Sequence, residues 1–390
     1  MQTDNIKLLP SKKNKLSDYR ELNDLLIENR FYYFIETKLL PNILISSERF
    51  WIELSRIIEK FSPCNTSLLA QRDVLQRKID SWHVTRKESE FDIDSYICFL
   101  KEIEYLAPEN GPFTIKTENV DHEVSQIAAP QLVVPVSNSR FAINACNARW
   151  GSLYDAVYGS DLIPKKSVEA SDQGYDSERG ALVIEYSFEF LDRAIPLEQA
   201  SHKNVENYFL ESSSNELSFK ARLNNGKIVS LKSSDKFIGF DKFDDATSYV
   251  FKNNDLHIEI TVNPCHAVGR TAPGNVSDIN IESAVSIILD CEDSVAAVDS
   301  EDKINVYQNC LELMRGSLSS TFIKSGNNFT RTLNEDRRYT SKKNESFFLK
   351  SRALMLTRNV GLHMKTDIVI DKQKESVYEG LLDAIVTVGC

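Results

Sequence analysis

The stretch that most constrains the fold is residues 281–300, which read IESAVSIILDCEDSVAAVDS. A continuous apolar run, Val285 to Leu289, leads directly into the acids Asp290, Glu292 and Asp293. Short continuous apolar runs are typical of strands buried in a parallel sheet, and β/α barrels place their catalytic side chains where such strands end. The alternative is an acidic turn that caps the next helix, and this stretch by itself leaves both interpretations open.

Buried-strand character appears in three other places. The first is QLVVPV at 131–136, the second is ALMLTRN at 353–359, and the third candidate is LLDAIVTV at 381–388. Arg358 lies just past the apolar positions of the second run. Strands that are separated by long insertions and end in charged residues favour a parallel β/α barrel interrupted by an inserted domain.

The segment from Leu16 to Leu106 has helical periodicity. Apolar residues such as Trp51, Leu54 and Ile58 recur at three- and four-residue steps after Ser46, which can cap a helix start. The periodicity predicts a helical N-terminal domain, whose aromatic side chains we interpret as core rather than as ligand contacts.

The region between about 150 and 280 is mixed. ALVIEYSFEFLDRAI at 181–195 predicts a helix, whereas LSFKARLNNGKIVSLK at 217–232 has Asn225 and Gly226 between two alternating runs. An Asn-Gly pair in that setting favours a hairpin with a type I′ turn. We therefore predict a second α/β module with antiparallel strands.

Composition excludes several classes of protein. The net charge of -11 and pI of about 5.2 disfavour nucleic acid as a partner. The chain has no apolar run long enough to span a membrane and no apolar signal sequence near its start. Its seven cysteines are scattered without a CxxC pair, which favours a reducing cytoplasm over a disulfide framework.

The residues that could carry chemistry are few. The chain has no GxGxxG, GxxxxGK[ST], GxSxG or HExxH motif, and its six histidines are isolated. Any metal is therefore expected to be a hard cation held by carboxylates, Mg²⁺ rather than zinc. Arg358 could grip a carboxylate or be a structural ion-pair partner, while Arg140 and Arg331 could contact phosphates or be ordinary surface arginines.

Several long segments, in the same order, resemble malate synthase G. They are PQLVVPVSNSRFAINACNARWGSLYDAVYGSD (130–161), LDCEDSVAAVDSEDKINVYQN (289–309), TRTLNEDRRY (330–339) and LMLTRNVG (354–361). The similarity runs from FIETKLLPN near the start almost to the end of the chain.

The resemblance implies an α/β fold: a TIM-type β/α barrel, incomplete here, with an N-terminal helical clasp and an inserted α/β domain. It implies the following division: clasp 1–110, barrel start 111–149, inserted domain 150–280, second barrel strand and helix 281–314, return to the inserted domain 315–352, and barrel from the third strand onward 353–390.

The resemblance also implies an activity, the condensation of acetyl-CoA with glyoxylate and water to malate and CoA in the glyoxylate cycle. Mg²⁺ is the implied cofactor and a monomer the implied state, while composition favours a cytoplasmic protein that binds neither nucleic acid nor membrane. Arg358 matches the catalytic, glyoxylate-binding arginine, and Glu292 and Asp293 resemble acids near the metal. The positions that match contacts to acetyl-CoA are Val133, Arg140, Phe141, Ser294 and Arg331.

The chain departs from the family in three places. It reads RNVGLHM where the family commonly reads RNVGHLM, so that Leu362 and His363 are transposed, and Cys146 replaces a frequent alanine. After LLDAIVT the family continues, whereas this chain ends VGC. We therefore expect the metal ligands and the proton-abstracting aspartate to lie beyond residue 390, and the chain by itself to be inactive.

Two other interpretations remain at this stage. One is a non-catalytic fragment that binds CoA or a complementing C-terminal polypeptide. The other is a magnesium-dependent carbon–carbon lyase of the citrate lyase β-subunit type, which has a related barrel but does not account for the helical first hundred residues or for NARWGSLYDA.

Overall fold

The computed structural model describes residues 18–164, 174–213, 216–324 and 326–390. The α-helices in these ranges are α1 (Asn29–Phe34), which continues into a π-helical segment (Ile35–Leu39), α2 (Ser47–Thr85), α3 (Ile93–Glu102), α4 (His122–Ser125), α5 (Ser139–Asn147), α6 (Leu153–Gly159), α7 (Ser177–Ala194), α8 (Ser300–Arg315) and α9 (Glu379–Gly389). The strands are β1 (Tyr19–Leu22), β2 (Leu25–Glu28), β3 (Gln131–Pro135), β4 (Trp150–Ser152), β5 (Val205–Ser213), β6 (Glu216–Leu223), β7 (Ile228–Ser230), β8 (Phe237–Lys242), β9 (Thr247–Asn253), β10 (Leu256–Val262), β11 (Val276–Glu282), β12 (Ser286–Asp290), β13 (Ser319–Lys324), β14 (Asn327–Thr332), β15 (Arg337–Ser341), β16 (Ser346–Leu349), β17 (Leu354–Arg358), β18 (Lys365–Ile370) and β19 (Ser376–Tyr378).

A parallel sheet with the order β17-β12-β3 lies at the centre of the candidate site. Its strands pair in register, so that Asp290 ends β12 beside Arg358 of β17 and Pro135 of β3. The strands predicted at 131–136, 286–290 and 353–359 are therefore confirmed. All three end at the same edge of the sheet, as parallel strands must.

Only one face of this sheet is covered by helices in the described structure. Residues of α5 and α8, among them Ile143 and Val306, bury Val134, Ile287 and Leu289 on that face. On the other face Val133 is 57% exposed and Leu356 is 36% exposed. The expectation that QLVVPV is buried on both sides is therefore wrong, because β3 is an edge strand with one uncovered face.

The segment LLDAIVTV forms helix α9 rather than a strand. Its buried residues Leu382, Asp383 and Val386 have helical spacing, and the two apolar ones pack in the same core as Tyr307 of α8. The strand prediction failed because a short apolar run has no periodicity that separates a strand from a buried helix.

The middle of the chain forms a separate antiparallel sheet with the order β16-β15-β8-β9-β10-β11-β4. Strand β15 reaches it from the segment after α8, where Thr340 pairs with Phe240 of β8. A smaller sheet, β5-β6-β7, shares a core with α7 and with the large sheet. Helix α7 confirms the prediction made for 181–195.

The hairpin predicted at Asn225–Gly226 is present, but its turn is of another type. Strands β6 and β7 pair antiparallel, and the amide of Leu223 donates to the carbonyl of Lys227 across the loop (2.9 Å). A type I′ turn needs positive φ at two residues, whereas Gly226 (φ 81°) is the residue of this loop with positive φ. The three-residue loop matches a type I turn followed by a left-handed glycine.

The N-terminal part is not wholly helical, contrary to the prediction. Strands β1 and β2 form a hairpin that joins β18 and β19 in one four-stranded sheet. Helix α2 then starts where predicted, with the Ser46 hydroxyl accepting from the amide of Arg49 (3.3 Å). The β1–β2 hairpin was not predicted because its pairing partner β18 lies more than three hundred residues away along the chain.

Two predictions drawn from composition concern the whole chain. The cysteines are all free thiols, so the described structure contains no disulfide framework. Among the described helices, none is both long and apolar enough to cross a membrane.

Candidate functional site

Arg358 and Asp290 form a two-point ion pair at the carboxyl edge of the parallel sheet. Both residues end their strands at the same register position, which puts their side chains on the same face. Arg358 Nε donates to Asp290 Oδ1 (2.9 Å), and Arg358 Nη2 donates to Asp290 Oδ2 (2.8 Å). This is the parallel-bond geometry that a planar guanidinium makes with a carboxylate.

Asp290 is the anchor of the site, although it is not among the site residues predicted from the sequence. The amide of Glu292 donates to Oδ1 (3.0 Å), while the amide (3.0 Å) and the hydroxyl (2.6 Å) of Ser294 donate to Oδ2. The hydrogen bonds from Arg358, supported by those from Ser294 and Glu292, hold the pKa of Asp290 well below its ordinary value although burial opposes them. Two parallel strands that end in opposite charges were the signal that could have identified Asp290.

The acidic turn after β12 faces Arg358 and does not cap α8. Arg358 Nη1 lies 3.3 Å from Asp293 Oδ2, and Nε lies 3.8 Å from Glu292 Oε2. Helix α8 is instead capped by Asp299, which accepts from the amide of Asp302. Of the two interpretations left open for this stretch, the structure therefore favours a charged cluster at a strand end.

Arg358 keeps donors for a further partner. A guanidinium has five N–H groups, of which Asp290 takes two. The Arg358 side chain is 42% exposed, whereas Asp290 is fully buried. The guanidinium is charged at any physiological pH, and the N–H groups that Asp290 leaves, of which Nη1 faces Asp293, can receive a small anionic ligand.

The described residues do not make a metal site by themselves. Both oxygens of Asp290 are engaged by Arg358 and by the following turn, which leaves Glu292 and Asp293 as the nearby carboxylates. Over the described ranges, no group of three or more His, Cys, Asp or Glu side chains is arranged to hold a metal ion. A divalent cation here would need ligands in addition to these.

Arg140 and Arg331 both lie at one face of the hairpin formed by β13 and β14, a second place in the fold. The Arg140 guanidinium, from α5, lies 4.0 Å from the centre of the Phe322 ring, which stacks on Phe329. Arg331 pairs with Ser320, two positions from the Phe322–Phe329 pair, and so lies on the same face of the hairpin. Both arginines are exposed.

The other predicted residues divide between these two places. Ser294, Glu292 and Asp293 belong to the Arg358 cluster. Phe141, 54% exposed, follows Arg140 in α5, and Val133 lies on the uncovered face of the sheet. The structure thus brings together one group at the ends of β12 and β17 and places Arg140, Phe141 and Arg331 at α5 and the hairpin, whereas Val133 lies on the face of the sheet opposite α5.

Cys146 and His363, at which the chain departs from the family sequence, differ in their surroundings. Cys146 is buried, which raises the pKa of its thiol to about 11, and its carbonyl accepts from the amide of Ala353 (2.9 Å). A neutral cysteine in this place is a small apolar residue, as alanine would be. His363 is exposed and lies against Gly361, close enough that a Cβ on that glycine would be 2.6 Å from its Nδ1.

The fold and its charged edge define a class: an α/β protein with helices on a parallel sheet, an arginine cluster where the strands end, and an inserted antiparallel domain. Two family models match within the chain. The malate synthase N-terminal domain matches residues 31–93, and the malate synthase G alpha-beta insertion domain matches residues 175–256.

Curated relatives extend the match to nearly the whole chain. Malate synthase G of Halalkalibacterium halodurans is 43% identical over 95% of the chain and 51% of its own length. Malate synthase G of Corynebacterium efficiens is 42% identical over 92% of the chain and 47% of its own length, and that of Corynebacterium glutamicum is 41% identical over 92% and 48%. The chain therefore belongs to the malate synthase G family, and it spans about half the length of these relatives.

Proposed function

We propose that this chain supplies the glyoxylate-binding arginine and much of the acetyl-CoA surface of a malate synthase. The observation that carries the proposal is the exposed guanidinium of Arg358, held at two points by buried Asp290 at the ends of adjacent parallel strands. Two-point anchoring removes the rotational freedom of the arginine before the substrate arrives. A preoriented positive charge is worth most where negative charge develops during a reaction.

The proposed reaction joins the methyl carbon of acetyl-CoA to the aldehyde carbon of glyoxylate, after which water releases CoA and yields malate. Arg358 would bind glyoxylate through the N–H groups that Asp290 does not use. Its charge would then offset the charge that forms on the aldehyde oxygen as the new carbon–carbon bond is made. Asp290 would keep the guanidinium aligned and would take no part in proton transfer, since its pKa is held far below neutrality.

Acetyl-CoA is the proposed ligand of the second group. Arg140 and Arg331 offer two positive charges on one face of a hairpin, which suits the phosphates of a nucleotide-like carrier. Phe141 and Val133 offer exposed apolar surface nearby in sequence, and Ser294 would connect the acetyl end with the Arg358 cluster. A phosphate-rich carrier would account for the positive charge of Arg140 and Arg331 on this face.

The finer architecture is also proposed. The uncovered face of the β17-β12-β3 sheet, with Val133 and Leu356, is the face that would line the inside of a TIM-type β/α barrel, and such a barrel has eight strands. The division into clasp, barrel and inserted domain given above belongs to the same proposal. So do a monomeric state, a cytoplasmic location and Mg²⁺ as cofactor of the assembled enzyme, bound by carboxylates other than Asp290.

Malate formation tests the proposal. We would compare the chain alone with a fusion in which it is followed by the part of the H. halodurans relative that it does not match, and follow release of the CoA thiol from acetyl-CoA with glyoxylate. The chain alone should release none, whereas the fusion should turn over. Turnover by the chain alone would contradict its expected inactivity, and a folded but inert fusion would contradict the malate synthase assignment.

A further inference from the structure

The hairpin of β13 and β14, which carries Arg331, is held to the rest of the fold at its base. Within the described structure the two strands pair with each other and with no further strand, and every side chain of β14 is exposed. A two-stranded hairpin without a buried face is marginally stable by itself. Its anchors are Leu318 and Leu333, just before and just after the hairpin, whose side chains are buried in the core shared with α5.

The side chain of Asn147, the last residue of α5, bridges the backbone on the two sides of Leu333. Its Nδ2 donates to the carbonyl oxygen of Thr332 (2.9 Å), and its Oδ1 accepts from the amide of Asn334 (2.9 Å). Because one partner is an acceptor and the other a donor, the two partners fix the orientation of the amide group. Thr332 directly follows Arg331, so these two hydrogen bonds, the Asn147 clamp, act one residue away from the proposed phosphate ligand.

Helix α5 contacts the hairpin at two levels. Arg140 and Asn147 are seven residues apart, which puts them on the same face of the helix and about 10 Å apart along its axis. The Arg140 guanidinium lies 4.0 Å from the centre of the Phe322 ring, and Phe322 pairs with Phe329. Phe329 and Thr332 are three residues apart, which is also about 10 Å along a strand. The helix therefore lies alongside the hairpin and holds it both at the level of Arg140 and at its base.

We propose that Asn147 is a positioning residue for acetyl-CoA: it holds Arg331 where its guanidinium and that of Arg140 can bind phosphate groups of the same molecule. The inference rests on the proposed function. Both hydrogen bonds of Asn147 are made to the protein backbone, so its effect on the carrier passes through β14 to Arg331. Without the clamp the hairpin would pivot about Leu318 and Leu333, and Arg331 would spend less time where it binds phosphate.

Hydrogen exchange of the chain alone, followed by mass spectrometry of its peptides, tests the clamp. Asn147→Ala should speed exchange in peptides that cover residues 327–334, because the amide of Asn334 loses its acceptor. Asn144→Ala is the matched control, since Asn144 is an exposed asparagine of the same helix, and it should leave these peptides unaltered. The melting temperature should change little in either variant. Unaltered exchange in Asn147→Ala, or a melting temperature lowered by many degrees, would overturn the inference.

Kinetics of the fusion described above test the effect on the carrier. Asn147→Ala should raise KM for acetyl-CoA on the order of fivefold, while kcat and KM for glyoxylate stay nearly unaltered. The double variant Asn147→Ala, Arg331→Ala should have the same KM for acetyl-CoA as Arg331→Ala by itself, since Asn147 acts through Arg331. Additive effects of the two changes, or a rise in KM for both substrates, would contradict the positioning role.

The outcomes separate this inference from the proposed function. An unaltered fusion that does not turn over contradicts the proposed function. A working fusion whose KM for acetyl-CoA is insensitive to Asn147→Ala contradicts the inference alone. The exchange experiment needs neither the fusion nor a substrate, so it tests the Asn147 clamp in both cases.

Discussion

At the scale of single residues, the site depends on a difference in exposure within one ion pair. Asp290 is fully buried and receives hydrogen bonds from Arg358, Glu292 and Ser294, whereas Arg358 is 42% exposed. Both carboxylate oxygens of Asp290 are therefore occupied by hydrogen bonds within the protein, whereas Arg358 retains N–H donors for a ligand. An exposed ion pair of the same composition would contribute little, because neither partner would be fixed.

Arg358→Lys should reduce turnover of the fused enzyme by on the order of a hundredfold, because lysine keeps the charge but not the planar fork that Asp290 aligns. The measurement is kcat and KM for glyoxylate by CoA release. Arg338→Lys, a change of an exposed arginine in the inserted sheet, is the control and should leave both constants unaltered. Near-normal turnover of the Arg358 variant would show that this arginine is structural.

At the scale of elements, the turn between β6 and β7 shows how one residue sets a hairpin. Gly226 has φ 81°, and a Cβ at that position would meet no atom within 4 Å. The free-energy cost of replacing Gly226 with a residue that has a Cβ therefore comes from its backbone conformation and not from a steric clash. The sequence located this hairpin correctly, but the turn type depended on where the strands stop pairing.

Gly226→Ala should destabilise the chain by roughly 1–2 kcal/mol, the cost of a left-handed backbone for a residue with a Cβ. Urea unfolding measures the difference. Gly111→Ala offers a matched control, since Gly111 has neither a positive φ nor a near neighbour and its replacement should be neutral or slightly stabilising. Equal effects of the two changes would exclude backbone strain as the cause.

The pairing of α5 with the β13–β14 hairpin leads to a test of carrier binding. Arg140→Ala and Arg331→Ala should each weaken acetyl-CoA binding on the order of tenfold, because each removes a charged hydrogen-bond donor from phosphate. Calorimetric titrations at low and high salt should show the effect shrinking as salt screens the phosphates.

The control for this test is the second substrate together with a thermal melt. Glyoxylate affinity and the melting temperature should change little in either variant, with Arg338→Ala as a reference for loss of a surface arginine. Equal losses for both substrates, or a melting temperature lowered by many degrees, would assign these arginines to the scaffold.

At the scale of the whole molecule, a buried ion network ties helix α4, which precedes the parallel sheet in the chain, to the antiparallel sheet. Arg149 precedes β4, and its guanidinium donates to Glu123 of α4 (2.9 Å) and to Glu282 of β11 (2.7 Å). His257 of β10 contacts the second oxygen of Glu282 at 2.6 Å. Breaking such a network leaves a buried charge without its partner, which usually costs several kcal/mol.

Glu123 should make the stability of the chain depend on acid pH. Burial raises its pKa, but the hydrogen bonds from Arg149 and Lys350 prevail and lower it from 4.5 to about 2. A carboxyl whose folded pKa is depressed contributes stability above its unfolded pKa and loses it as the pH falls through the folded one. The contribution should therefore be complete above about pH 4.5 and disappear between pH 4.5 and pH 2.

Urea unfolding of the unaltered chain and of Glu123→Gln at several pH values measures this contribution. The difference in unfolding free energy should reach on the order of 3 kcal/mol at pH 7 and narrow as the pH falls below 4.5. Glu118→Gln, a change of an exposed acid, should produce no difference that depends on pH. A difference that stays constant from pH 7 to pH 3 would contradict the assignment.

Local patterns were sufficient for much of the fold. The apolar runs at 131–136, 286–290 and 353–359 formed the three parallel strands, and the periodicity at 181–195 formed α7. These predictions were correct because a buried strand or helix face produces a characteristic pattern of apolar residues along neighbouring positions. The same motifs, read in sequence order, also identified the malate synthase G family.

Tertiary structure decided what depends on a distant partner. The run at 381–388 forms helix α9 because Leu382 and Val386 pack in the core beside α8. The hairpin of β1 and β2 is stabilised as part of a sheet because β2 pairs with β18. Asp290 became the anchor of Arg358 only when two strands 68 residues apart paired in register. A sequence records which side chains can bury or carry charge, but the pairing of charges and edges is a long-range property that appears only when the chain has folded.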